Sequence, residues 1–220
     1  MKKTFQTLLG LFVVLILLTG CPAHIPYFYS ADAIEAWVVD EETKEPLEGV
    51  VIVAEWELYA SMFVEYQRVG QLKVMETVTD KNGRFSFPAW GPLVTVWGHL
   101  KKDAPRLVFF KSGYEAGADY SVQNYSDRNG QVITLAKFKG SLEEYADRLS
   151  RLSSMLGYAF RSPNGECQWK KIPHMVVALH KQKAIFNQYN VSNLLNSIED
   201  LAKRSPKSCN QSQSFFRSYL

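Results

Sequence analysis

The rhythm of apolar and polar positions changes near residue 140. Before it, short β-branched and aromatic runs alternate with polar turns; after it, apolar residues recur every three or four positions. Ile34 to Asp40 (IEAWVVD) predicts a strand that stops at a polar turn closed by Pro46. Leu47 to Trp56 predicts the next, with Gly49 at a bulge or a close backbone approach. Lys73 to Thr79 and Arg84 to Phe87 flank Asp80-Lys81-Asn82-Gly83, the clearest hairpin signal in the chain. Asn82-Gly83 supplies the positive φ that such a turn needs, and the Asp80 carboxylate can accept from its amides. Leu93–Trp97, Arg106–Phe110 and Gln131–Leu135 complete six or seven short strands, which imply a β-sandwich over 34–139.

Residues 141–204 predict three helices. Ser141-Leu142-Glu143-Glu144 is a capping box, followed by Leu142, Tyr145, Leu149, Leu152 and Leu156 at helical spacing up to Gly157. Pro173 opens a second helix through Met175, Leu179, Ile185 and Phe186 to Tyr189. Asn190 or Ser192 caps a third, whose stripe is Leu194, Leu195, Ile198, Leu201 and Ala202. The three are expected to pack on one another or on a sandwich face, with a detachable partner-binding helix as the alternative. Residues 205–220 read as a loose polar tail. The fold class expected is therefore mainly β with α, a sandwich followed by a small C-terminal helical segment.

Met1 to Gly20 has the organisation of a secretory signal: Lys2-Lys3, then an apolar run from Leu8 to Leu18 that is too short to span a bilayer. No comparable run follows. Leu18-Thr19-Gly20-Cys21 resembles the bacterial lipobox, which implies that Cys21 is lipidated on sulfur and becomes the new amino terminus. Each buried CH2 of an acyl chain contributes about 0.8 kcal/mol, so two or three chains anchor stably. This places the protein on a membrane surface facing the periplasm, with membrane lipid as its partner through Cys21 and the choice of inner or outer membrane open. Residues 21–33, with two prolines and three aromatics, read as a tether whose rings either meet the lipid interface or pack on the first strand.

The whole chain of 220 residues is 46% hydrophobic and 21% charged, ordinary for a globular protein, with a formal charge of +3. Without Lys2 and Lys3 the balance is 23 basic against 22 acidic residues, or +1, which argues against a nucleic-acid partner. The charge is uneven: residues 21–140 carry 12 basic and 16 acidic residues, and residues 141–220 carry 11 and 6. A net −4 sandwich and a net +5 tail can attract one another or an anionic lipid surface, or simply be solvated. Cys167 and Cys209 lie outside the predicted helices in an oxidising compartment, and we expect them to form a disulfide.

Three stretches, Pro46-Leu47-Glu48-Gly49-Val50, Thr79-Asp80-Lys81-Asn82-Gly83-Arg84-Phe85 and Lys111-Ser112-Gly113-Tyr114, resemble in order and spacing the landmarks of carboxypeptidase regulatory-like domains. The resemblance covers about half of the mature chain, with a long insert at 58–72. It implies a transthyretin-like β-sandwich and a non-catalytic module of the kind found beside metallopeptidases and in exported proteins. Gly49, Asp80, Asn82 and Gly83 are then fold landmarks, and a fold does not define an activity.

Few residues in the sequence are arranged for chemistry. Among His24, His99, His174 and His180, none begins a His-x-x-Glu or His-Glu-x-x-His pair, and there is no Gly-x-Ser-x-Gly elbow or phosphate loop. His174 and His180 are six apart, so a shared zinc is not expected. The carboxy-terminal Tyr-Arg-Gly-Ser of transthyretin-like hydroxyisourate hydrolases is replaced by Phe-Arg-Ser-Tyr-Leu. Glu55, Glu57 and Glu65 are the candidate acid/base carboxylates, read more simply as a solvated sheet face. Asp80 and Asn82 are read as turn residues rather than calcium ligands. We therefore expect no catalytic residue, metal or cofactor, and a binding or assembly module that meets another envelope protein. The alternatives are a hydrolase with an unrecognised site, and a sugar or peptide binder using Trp56, Tyr59, Tyr66, Trp90 and Trp97 in an open cleft.

Overall fold

The structure is a computed structural model in which residues 26–62, 65–100, 105–119, 129–160, 166–204, 209 and 212–220 are described. Cys21 and the signal segment lie outside these residues.

Alternation in β2 (Ile34–Asp40) buries Ile34, Ala36 and Val38 and leaves Glu35, Trp37 and Val39 half-exposed. This strand lies between β5 (Arg84–Phe87), antiparallel, and β10 (Val132–Leu135), parallel. The second sheet has the order β4 (Glu65–Val78), β3 (Val51–Met62), β8 (Arg106–Phe110), β9 (Gly117–Asp119), with β7 (His99–Leu100) pairing β3 beyond the end of β8. The stretch 58–72 thus extends β3 and β4 into one long hairpin. A ribbon of β1 (Tyr27–Ala31) and β6 (Trp90–Thr95) completes the β part.

Four helices are described: α1 (Leu142–Met155), α2 (Pro173–Gln188), α3 (Ile198–Arg204) and α4 (Ser212–Phe216), with a 3-10 turn at Gln168–Lys171. They cover the outer face of the second sheet. Ile52, Ala54 and Trp56 of β3 and Leu107 and Phe109 of β8 point into the sandwich, against Ile34, Val38, Phe85 and Phe87. Their neighbours Val51, Val53, Val108 and Phe110 point the other way, against Leu149, Leu152, Met175, Val176 and Phe186. The β3–β8 sheet is therefore buried on both sides, which is why its strands read as near-continuous apolar runs. The protein is mainly β with α, as the sequence implies, in three layers.

Four local expectations are corrected. The turn at 80–83 does not close a hairpin: β4 pairs β3, whereas β5 pairs β2, so the turn carries the chain from one sheet to the other. The segment read as a tether contains β1, because Tyr27 to Tyr29 find a pairing edge on β6. The third helix starts at Ile198, not after Asn190 or Ser192. Asn190 has φ +57 just past α2, and Ser197 and Asp200 cap α3 by exchanging hydrogen bonds of 2.9 and 3.2 Å. The tail is not loose throughout, since α4 buries Ser212 and Phe216.

Candidate functional site

The three stretches that carry the family resemblance meet at one corner of the sandwich. The Thr79 hydroxyl donates to the Leu47 carbonyl at 2.6 Å and accepts from the Val50 amide at 2.8 Å. Lys111 Nζ donates to the Glu48 carbonyl at 2.7 Å, and the Tyr114 hydroxyl donates to Asp40 Oδ2 at 2.9 Å. Asp80 Oδ1 accepts from the Asn82 and Arg84 amides, each at 2.9 Å, which occupies it in the turn. Gly49 and Gly83 have φ of +74 and +70. All of these hydrogen bonds except the Tyr114–Asp40 pair tie a side chain to the backbone.

Two of the three candidate carboxylates, Glu55 and Glu57, are drawn into the layer interface and do not lie on the solvated sheet face that the sequence suggests. Glu55 and Arg106 are direct cross-strand partners, and their side chains form a buried ion pair. Arg106 also pairs with Glu57 at 2.9 Å, and Glu57 pairs with Arg68. Both guanidiniums converge on the Met155 carbonyl at the C-terminus of α1, Arg106 at 2.7 Å and Arg68 at 3.2 and 3.3 Å, satisfying an orphan acceptor at the negative end of the helix dipole. Arg68 further sits 4.4 Å from the Tyr158 ring centroid. Burial pushes the Glu55 carboxyl up, opposed by Arg106, and burial together with Glu57 pushes the Tyr59 hydroxyl up to about 12. With guanidiniums on Glu55 and Glu57, the cluster binds layers together; Glu65 stays at the surface and accepts from Gln67.

Glu76 makes a second such link that sequence reasoning did not reach. Its Oε1 accepts from the Met175 amide at 2.7 Å, and its Oε2 accepts from the His174 amide at 2.8 Å while meeting His174 Nδ1 at 2.8 Å. A strand residue thereby caps α2, whose own N-cap, Ile172, has no side chain able to do so. Burial pushes the Glu76 carboxyl up, against the lowering effect of those bonds. His180 faces Glu199 instead, at 3.5 Å, so the two histidines have different partners. Among the described residues no group of three or more His, Cys, Asp or Glu is arranged to hold a metal ion. Cys167 and Cys209 form a disulfide, as expected, and it brings the tail to Trp169, where Phe216 packs at 5.3 Å between ring centroids.

The aromatic set divides. Trp56 is core, and Trp90 packs edge-on against it at 5.0 Å. Tyr59 and Tyr66 stack at 5.6 Å; Tyr66 meets His99 at 4.9 Å, and His99 meets Tyr27 at 6.4 Å. These rings lean on one another, while Trp56 is buried away from them in the core. An open cavity of about 620 Å³ beside β2 and β5 is lined by other residues, among them Ile34, Glu35, Trp37, Ser86 and Asn129.

What stands free is the outer face of the β1–β6 ribbon. Phe28 and Val94 are paired in register and so share a face; they are 68% and 53% exposed. Val96 and Trp97, both 57% exposed, follow directly after β6, where the Thr95 hydroxyl donates to the Trp97 carbonyl at 2.7 Å. A Cβ on Gly91 would lie 2.6 Å from Ser30 Cα, so glycine is what lets the two strands approach.

No protein-family model matches the chain, and no curated protein does. Among solved structures it is similar to a streptococcal ancillary pilin, at 15% identity and a TM-score of 0.24 over 50% of this chain and 30% of that one. It is also similar to a 3-chlorocatechol 1,2-dioxygenase from Rhodococcus opacus, at 16% identity and a TM-score of 0.30 over 51% and 61%. A third is the shaft pilin spaA from Lactobacillus rhamnosus GG, at 16% and 0.29 over 52% and 48%. The chain spans less than two thirds of each of these proteins.

Proposed function

We propose that this chain is a lipid-anchored envelope protein, facing the periplasm, whose layers form a non-catalytic binding or assembly module of the carboxypeptidase regulatory-like kind. The observation that carries the reading is a juxtaposition. The lipobox cysteine, Cys21, is followed after only five intervening residues by a ribbon with an exposed apolar face, fixed to the folded body through Trp90. The family reading draws on the convergence of the three landmark stretches at one corner. The non-catalytic reading draws on Glu55, Glu57 and Glu76, which serve as structural ion pairs and a helix cap.

The test is radiolabelled fatty acid supplied to cells, with the wild type and Cys21→Ala compared by fractionation. Label in the wild type only, with release of the variant from membranes, is the expected result. Absence of label, or a variant that stays membrane-held, would overturn the anchor. In-membrane crosslinking followed by mass spectrometry tests the assembly role: a reproducible envelope-protein partner is expected, and a consistent blank would remove it.

A further inference from the structure

We propose that the outer face of the β1–β6 ribbon, formed by Phe28 and Val94, together with the exposed Val96 and Trp97 that follow β6, seats on the bilayer interface and fixes the orientation of the protein on its membrane. This rests on the anchor reading above and adds an orientation to it.

Three observations select a lipid surface as the occupant. Reach comes first: six residues from Cys21 to Tyr27 span at most about 20 Å when fully extended, so β1 cannot leave the neighbourhood of an acylated Cys21. Charge comes second. No Asp, Glu, Lys or Arg occurs from Pro22 to Ala31 or from Phe85 to Leu100, the two stretches that build the ribbon. A surface that meets a protein partner carries a polar rim with hydrogen-bonding groups, whereas an interfacial belt is apolar and aromatic. The third is the way the two faces differ. The inward face is fixed, with the Tyr29 hydroxyl accepting from the Leu100 amide at 3.2 Å and Trp90 against Trp56, while the outward face touches no other part of the described chain strongly enough to bury it. A rigid apolar surface held within reach of an acyl anchor gains by leaving water for the headgroup boundary, and its area adds to the anchor.

The experiment uses the full chain, purified with its membrane anchor and reconstituted in phosphatidylethanolamine/phosphatidylglycerol vesicles with and without brominated acyl chains. Trp97 emission is isolated by subtracting Trp97→Phe, and fatty-acid labelling is scored on the same preparation. Seating predicts severalfold quenching of the Trp97 emission by brominated lipid, lost in Phe28→Ser/Val94→Ser, whose replaced side chains are exposed and leave the core alone. Label with an unquenched Trp97 would overturn the seating and leave the anchor standing. So would quenching that Phe28→Ser/Val94→Ser does not change, or a Trp97 that is shielded by a second copy of the chain or by another protein. Quenching on added vesicles without label would support the seating and overturn the anchor.

Discussion

Gly83 lies against the backbone of Val38: the Val38 amide donates to the Gly83 carbonyl at 2.8 Å, and a Cβ on Gly83 would fall 2.3 Å from the Val38 carbonyl oxygen. The contact joins the turn between sheets to the strand at the centre of the smaller sheet. Gly83→Ala combines a left-handed φ with a clash against backbone, and should cost about 2 to 4 kcal/mol. Gly113→Ala, with a similar φ but open space around it, should cost only about 1 kcal/mol. Urea unfolding of the two variants separates strain from clash.

Removing Arg106 would leave Glu55 in the layer interface without its main partner. Loss of one member of a buried pair costs about 3 to 5 kcal/mol, so Arg106→Ala should be severely destabilised, and Arg106→Met with Glu55→Met should recover most of the loss. The pH dependence follows from a carboxyl pushed up by burial. Its stabilising contribution is whole below the unfolded value, about 4.3, and is lost as pH rises through the folded one. The deficit of Arg106→Ala relative to wild type should therefore widen from about pH 4 upward. Thermal melts across that range would read it.

Asp40 behaves in the opposite sense. The Thr43 amide, the Tyr114 hydroxyl and the Glu42 amide hold its carboxyl down at about 2, against the raising effect of burial. Such a group stabilises above its unfolded value, about 3.9, and the contribution disappears as pH falls from about 4 to 2. Asp40→Asn should flatten the acid limb of the stability curve, and Tyr114→Phe should flatten it in part. Acid titration followed by circular dichroism is the measurement.

The disulfide closes a separation of 42 residues. Chain entropy then predicts a loss of about 4 kcal/mol for Cys167→Ser. The loss should appear first as exposure of Trp169, since Cys209 and α4 hold their place against it through that bond. Tryptophan fluorescence with and without reductant, alongside a non-reducing gel, checks both parts.

How far the sequence reaches depends on the range of the deciding interaction. β2 is set by its own alternation, α1 by its periodicity and capping box, and α2 by Pro173 at its first position, and their bounds come out close to those observed. Asp80 to Gly83 announces a turn with equal clarity, but a turn says nothing about which edge each flanking strand will find. Phe85 and Phe87 are buried against Ile34 and Val38, and that burial decides the partner of β5. Glu76 is harder still, because its helix lies 98 residues away in the chain and no local pattern marks a strand glutamate as a cap. Phe216 is hidden for a related reason: a five-residue helix has too little periodicity to read, and tertiary packing together with the nearby crosslink sets it against Trp169.

The β3–β8 sheet is a shared wall between two interiors, and this limits how the molecule can be divided. A fragment cut near residue 140 would keep every strand yet present Val51, Val53, Val108 and Phe110 to water as a broad greasy face, inviting aggregation. Sandwich and helices should accordingly melt as one cooperative unit.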